Sequence, residues 1–135
     1  PLDVGEIRGF HARFHLYTVP GQVIYDASRK LILKGLDGVV FVVDSQADRL
    51  EENIESMKNL EKNLEQQGYS IKEIPLVIQY NKRDLPNALP IKELRKHINL
   101  YNAPEVEASA FEGKGVLESF KLVSKNIIQI LKGGA

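Results

Sequence analysis

The sequence predicts an α/β fold in which helices cover a parallel sheet. A continuous apolar run at residues 39–43 and a similar, mostly apolar run at residues 76–79, which ends in Gln79, are typical of strands that are buried on both faces. Between and after these runs, apolar residues recur at helical spacing. Strands and helices that alternate in this way form right-handed βαβ units, and such sheets bind ligands at the carboxyl ends of their strands.

The first part of the chain predicts an antiparallel hairpin. Residues 2–7 form one arm, and residues 12–19 alternate apolar and polar side chains as a half-buried strand does. An Arg-Gly pair at residues 8–9 is typical of a turn, and a Pro-Gly pair at residues 20–21 interrupts the second strand.

Three amphipathic helices and a last strand follow. The first helix is expected to begin with a capping box at Asp48 and Glu51 and to end at Gly68. Pro90 is expected as the first residue of the second helix. A short strand is predicted at residues 106–110, and the third helix ends the chain. The inward-facing residues of the first helix are Leu50, Ile54, Met57, Leu60 and Leu64.

Composition excludes several classes of function. The 135 residues suit one domain, and 18 basic residues balance 18 acidic ones, which argues against a nucleic-acid binder with a broad basic surface. The absence of cysteine excludes disulfides, thiolate metal sites and Cys-linked lipids. We find no signal-peptide pattern and no apolar run long enough to span a bilayer. We therefore expect a cytoplasmic protein with no stable membrane anchor and no metal site of its own.

The strongest chemical signal is Asn81-Lys82-Arg83-Asp84, which directly follows a buried strand. It matches the N-K-x-D guanine-specificity motif of small GTPases. The Asp84 carboxylate can accept hydrogen bonds from N1–H and the exocyclic amine of guanine, a pair of donors that adenine lacks. The Asn81 amide can reach N7, while the Lys82 stem packs along the base. A site built on such bonds rejects a base that leaves them unpaired.

A second segment, Ser109-Ala110-Phe111, resembles the S-A-K segment of the same GTPases. There a backbone N–H, at Ala110 in this chain, contacts guanine O6. Phe111 stands where the family has Lys, so stacking on the base would be apolar here. The segment follows the last predicted strand, which is where the fold would need it.

Upstream, Thr18-Val19-Pro20-Gly21-Gln22 resembles the D-x-x-G-Q segment that begins switch II. The resemblance implies that the N–H of Gly21 binds the γ-phosphate and that Gln22 is the catalytic residue, orienting the attacking water. Thr18, a candidate nucleotide-binding residue, replaces the usual Asp. The carboxylate that acts near Mg²⁺ is therefore absent from this position.

Together these segments resemble the mutual gliding family of bacterial Ras-like small GTPases, which act in cell polarity and gliding motility. The Thr-Val-Pro-Gly-Gln form of the switch is distinctive of that group, and the resemblance runs from about Leu2 to the C-terminus. It implies a switch between GTP and GDP states, a requirement for Mg²⁺, and a Roadblock-fold GTPase-activating protein as partner.

The phosphate loop of the family, G-x-x-x-x-G-K-[ST], does not occur in this sequence. We therefore expect residues 1–135 to be the C-terminal part of a single small-GTPase domain, that is, a Ras-like P-loop GTPase fold lacking its first strand, phosphate loop and first helix. The Mg²⁺ ligands and most contacts to GTP or GDP would lie outside this chain. On that basis the 135 residues alone are expected not to hydrolyse GTP.

Two other interpretations stay open on the sequence. One is a pseudo-GTPase without a phosphate loop that serves only as a binding scaffold. The other is a receiver-like α/β domain with Asp44, at the end of a buried strand, as phospho-acceptor. The receiver interpretation leaves the motif at residues 81–84 unexplained, and no acidic pair follows an early strand.

Overall fold

A computed structural model describes residues 2–7, 10–14 and 37–132 of the chain. Three helices and five strands are present in these ranges. In chain order the elements are β1 (Leu2–Ile7), β2 (Phe10–Phe14), β3 (Val39–Asp44), α1 (Leu50–Gln66), β4 (Leu76–Asn81), α2 (Ile91–Ile98), β5 (Glu105–Glu107) and α3 (Val116–Lys132).

The central feature is a parallel sheet with the strand order β3-β4-β5. Asp44 of β3 lies opposite Asn81 of β4, and Tyr80 lies opposite Glu107 of β5, so the carboxyl ends of the three strands are level. The sheet, the helices and the α/β class agree with the sequence prediction.

Helices cover both faces of β4, whose side chains alternate between them. Ile78 and Tyr80 are fully buried on the face that packs against α1 and α2, together with Met57, Leu64, Leu94 and Ile98. Val77 is fully buried on the other face, against Val123 and Ile127 of α3. Burial on both faces explains why this strand is largely apolar, and its one buried amide, Gln79, donates to Ser119 Oγ at 2.9 Å. The same expectation for β3 is wrong at Val42, which is 53% exposed.

The predicted hairpin is present. β1 and β2 pair antiparallel from Leu2–Phe14 to Ile7–Phe10, with a register shift between Asp3 and Gly5. β2 begins at Phe10 rather than at residue 12. The continuation of this strand that the sequence predicts after residue 14 lies outside the described residues.

Two of the expectations about helix ends are wrong, and a third is confirmed. The capping box is wrong, because Ala47–Arg49 forms a 3₁₀ turn and Arg49 stands at the N-cap of α1 without a side-chain cap bond. Pro90 precedes α2 as its N-cap. Gly68 does end α1: it has φ +84°, its N–H bonds to Glu65 O at 3.0 Å, and Tyr69 N–H bonds to Leu64 O at 2.9 Å. This is a Schellman motif, which glycine favours.

β5 is shorter than predicted, but Ala108 extends its hydrogen bonding, since the Ala108 N–H donates to Tyr80 O at 2.7 Å. A side-chain network supports the strand from α2. Glu105 accepts hydrogen bonds from the Tyr80 hydroxyl, from Arg95 Nε at 2.8 Å and from Asn99 Nδ2 at 2.9 Å. Burial and the contact with Glu105 raise the pKa of Tyr80, so its hydroxyl stays protonated and remains a donor.

Gly115, which precedes α3, is fixed by close backbone contact. It has φ +80°, and a Cβ built on it would lie 2.2 Å from Glu107 O. Gly113 has a similar φ of +72°, but a Cβ there would have no heavy atom within 4 Å. The two glycines therefore separate the effect of backbone conformation from the effect of a clash.

We expect Gly115→Ala to lower the free energy of unfolding by about 3 kcal/mol or more, because a positive φ and a backbone clash add together. Gly113→Ala should lower it by only about 1 kcal/mol, the cost of the positive φ alone. Urea unfolding followed by circular dichroism measures both. Equal losses in the two variants would contradict the close contact between Gly115 and β5.

Candidate functional site

Three loops meet at the carboxyl edge of the parallel sheet. They follow β3 at Asp44, β4 at residues 81–84 and β5 at residues 109–111. Six of the residues singled out from the sequence lie here together. They are Asn81, Lys82, Asp84, Ser109, Ala110 and Phe111.

The loops enclose a groove of about 230 Å³, which is lined by Asn81, Lys82, Asp84, Leu85, Ala110 and Phe111. This volume is below the roughly 300–1,000 Å³ typical of sites that enclose a whole drug-sized ligand. The groove therefore suits one flat part of a ligand rather than all of it.

Asp84 is oriented by the next loop. Ser109 is buried, and its Oγ donates a hydrogen bond to Asp84 Oδ1 at 2.8 Å, while the Asp84 residue itself is exposed. Ser109 Oγ also accepts a bond from the N–H of Glu112 at 3.3 Å. The buried hydroxyl thus holds an exposed carboxylate in one direction at the groove.

Asn81 joins the β4 and β5 loops directly. Its Oδ1 accepts a hydrogen bond from the N–H of Ala110 at 3.0 Å. This is the N–H that the sequence analysis expects to face guanine O6. A base in the groove would therefore share or replace the bond to Asn81.

Lys82 adopts a left-handed backbone conformation, with φ +62°, and its Nζ lies 2.9 Å from Asp44 Oδ2. Burial alone would raise the pKa of Asp44, but hydrogen bonds from Lys82 and Gln46 hold it below its usual value. Asp44 is therefore ionised at neutral pH and is the counter-ion of Lys82. The sequence analysis considered Asp44 only as a phospho-acceptor and missed this contact.

Arg83 occupies the variable position of the motif and also ties the loops together. Its backbone N–H donates to Ala108 O at 3.2 Å, and its guanidinium donates to Leu89 O. The guanidinium also lies 3.4 Å from the Glu107 carboxylate. Sequence reasoning gave Arg83 no role, because the motif accepts any residue at this position.

Phe111 lies at the tip of a short loop and is 93% exposed. The loop is closed by two backbone hydrogen bonds of 2.9 Å between Ser109 and Lys114, one in each direction. An aromatic ring held at the lip of a groove can stack on the face of a planar base, a contact worth about 1–3 kcal/mol.

A larger cavity, of about 540 Å³, lies at the opposite edge of the sheet. Its walls include Pro75 and Leu76 at the start of β4, Pro104 before β5, and Ile130 of α3. Parallel sheets bind ligands at the carboxyl ends of their strands, and this cavity lies at the amino ends. We therefore place the candidate site in the smaller groove.

Three of the predicted site residues, Thr18, Gly21 and Gln22, lie outside the described residues. Across the described residues, no group of three or more His, Asp or Glu side chains is placed to hold a metal ion. In those same parts of the chain, no helix has the length and apolar character needed to cross a membrane.

Comparison with known proteins agrees with this geometry. The sequence model of the ADP-ribosylation factor family matches residues 2–127. The chain belongs to the ADP-ribosylation factor family. It is 62% identical over 134 residues to the mutual gliding-motility protein MglA of Myxococcus xanthus (strain DK1622), an alignment that covers 99% of this chain and 69% of MglA. This confirms the resemblance to the mutual gliding family.

Two human relatives are more distant. Identity to ADP-ribosylation factor-like protein 4C is 31% over 135 residues, covering 95% of this chain and 67% of that protein. Identity to ADP-ribosylation factor-like protein 4A is 36% over 84 residues, covering 62% of this chain and 40% of that protein. This chain is therefore a small GTPase of the MglA and ADP-ribosylation factor type, with a Ras-like fold. The receiver interpretation is wrong.

Ser109→Ala should weaken guanine-nucleotide binding by about five- to thirtyfold, because Asp84 loses the donor that orients it. Titration of a fluorescent GDP analogue into the protein expressed from its complete reading frame measures the affinity. Ser124→Ala is the matched control, since Ser124 is as buried as Ser109 but lies in the middle of α3, outside the lining of the groove. Unchanged affinity in Ser109→Ala, or an equal loss in both variants, would contradict the orienting role of Ser109.

Proposed function

We propose that this chain carries the guanine-recognising part of a GTP/GDP switch that acts in gliding motility and cell polarity. Residues 1–135 form the C-terminal part of a single small-GTPase domain. The Myxococcus relative supports the motility role, since that protein is named a mutual gliding-motility protein and is 62% identical to this chain. A Roadblock-fold GTPase-activating protein is the partner that this assignment implies.

The observation that carries the proposal is the exposed Asp84 carboxylate, held by Ser109 beside a groove of base-sized volume. In the proposed complex Asp84 accepts from N1–H and the exocyclic amine of guanine. The Asn81 amide faces N7, and the Ala110 N–H faces O6. The Lys82 stem and the Phe111 ring pack on the faces of the base.

The phosphates and Mg²⁺ belong to a different part of the site. Gly21 binds the γ-phosphate through its N–H, Thr18 lies near the nucleotide, and Gln22 positions the attacking water. Mg²⁺, when bound, would neutralise phosphate charge. From the resemblance to small GTPases we expect its ligands mostly outside this chain, and no GTP turnover by residues 1–135 alone.

Asp84→Asn tests the guanine assignment. An amide offers one acceptor and one donor in place of two acceptors, which suits xanthine better than guanine. We expect GDP affinity to fall roughly a hundredfold or more, while xanthosine diphosphate becomes the preferred ligand. Competition of the two diphosphates against a fluorescent nucleotide, with the protein expressed from its complete reading frame, measures the preference.

The matched control is Asp48→Asn, since Asp48 is an exposed carboxylate in the 3₁₀ turn before α1. It should leave both affinities unchanged. If Asp84→Asn kept the wild-type preference for GDP, the proposed base site would be wrong. A protein that bound a Roadblock-fold partner but neither diphosphate would favour the scaffold interpretation instead.

Gln22→Leu tests the catalytic assignment. An apolar side chain cannot orient water, so we expect GTP hydrolysis to fall roughly a hundredfold while GTP affinity stays within about twofold. Single-turnover phosphate release measures the first and nucleotide titration the second. Gln66→Leu, at the exposed end of α1, is the control. Hydrolysis at the wild-type rate in Gln22→Leu would remove Gln22 from the mechanism.

A further inference from the structure

We propose that Asp44 is a positioning residue of the guanine site, which fixes Lys82 against the groove and is itself fixed by Asn53. The inference rests on the proposed function, since it concerns how tightly the same site holds its nucleotide. Asp44 belongs to neither of the sequence motifs that form the groove, and its contribution comes from another strand.

The backbone of Asp44 is clamped by α1. Asn53 is buried; its Nδ2 donates to Asp44 O at 2.8 Å, and its Oδ1 accepts from the Asp44 N–H at 3.2 Å. On its other side Asp44 lies opposite Asn81 in the β3–β4 pairing, and the next N–H, of Ser45, donates to Asn81 O at 3.2 Å. The start of the guanine-specificity motif and Asp44 are therefore fixed relative to each other.

Gln46 orients the carboxylate of Asp44 independently of Lys82. Its Oδ1 accepts from the Gln46 N–H at 3.2 Å and from Gln46 Nε2 at 3.0 Å. Oδ2 accepts from Lys82 Nζ at 2.9 Å and from Gln46 Nε2 at 3.2 Å. Because Gln46 bonds both carboxylate oxygens, the lysine meets an acceptor that is already in place.

Lys82 needs such a partner more than most lysines do. A lysine side chain has a large rotamer entropy, and a ligand that orders a free lysine must overcome it. Here the ion pair orders the stem along the wall of the groove before any base arrives. Preorganisation of this kind increases affinity without adding a contact to the ligand.

Only the acidic partner distinguishes this pair from an ordinary surface ion pair. The side chain of Asp44 is 25% exposed, whereas Glu52, which pairs with Arg49 at 2.8 Å in the first turn of α1, is 64% exposed; the basic partners, Lys82 and Arg49, are 47% and 48% exposed. The two ion pairs have nearly the same N–O distance, 2.9 Å and 2.8 Å, but only the Asp44–Lys82 pair borders the groove. Glu52 therefore provides a matched control.

Asp44→Asn removes the negative charge and one of the two acceptor oxygens, and it should speed the dissociation of a fluorescent GDP analogue about three- to tenfold. Lys82→Met should speed it at least as much. If Asp44 acts through Lys82, then Asp44→Asn should add nothing in the Lys82→Met background. Glu52→Gln should leave the rate unchanged. All four variants are made in the protein expressed from its complete reading frame, and thermal unfolding confirms that each is folded.

A purely structural role of Asp44 would give a different result. It would accelerate dissociation by the same factor with and without Lys82, and this outcome, like an unchanged rate in Asp44→Asn, would overturn the proposal. The base preference of Asp84→Asn tests the guanine site separately. A normal shift toward xanthine in Asp84→Asn, with no effect of Asp44→Asn, would reject only the role of Asp44.

Discussion

The candidate site depends on the level register of three parallel strands. Asp44 faces Asn81 across β3 and β4, and Tyr80 faces Glu107 across β4 and β5. A slip of one residue would turn alternate side chains to the opposite face of the sheet. Burial of β4 on both faces prevents that slip, so the apolar core sets the positions of polar groups that it does not itself contain.

The loops at this edge are held by many weak bonds between them rather than by an apolar core of their own. Ser109 meets Asp84, Ala110 meets Asn81, and Lys82 meets Asp44. Each bond is partly exposed to water, so each one contributes little to the stability of the chain. Acting together on one groove, they can still fix the directions of its donors and acceptors, which is the property that recognition of a base requires.

Much of the architecture was predictable because it follows from periodicity. Apolar runs predicted β3 and most of β4, helical spacing predicted α1, and Gly68 marked the end of that helix. The cap of α1 could not be predicted in this way, because a 3₁₀ turn at Ala47–Arg49 displaced the expected start. The motif residues of the site were found since they follow strands in short recognisable patterns, and their proximity then follows from the topology.

The contacts that orient those residues left no such pattern. Asp44 and Lys82 are 38 positions apart in the chain, and Ser109 and Asp84 are 25 apart. Pairing over such separations depends on which strands become neighbours, and no local signal in a single sequence specifies it. The contacts of Arg83 could not be predicted for another reason. Arg83 occupies the variable position of the motif, and the motif does not indicate whether the residue there has partners.

Phe111 shows how the fold and the proposed ligand bear on each other. A single exposed ring is common on protein surfaces, but this ring, 93% exposed, is kept at the lip of the groove by the cross-bonded loop from Ser109 to Lys114. Gly115 places that loop by packing its backbone against Glu107 and Ala108, where no side chain would fit. The sheet thus holds an apolar ring beside an oriented carboxylate. A planar, polar-edged ligand such as a purine would satisfy both groups at once, stacking on the ring while its edge meets Asp84.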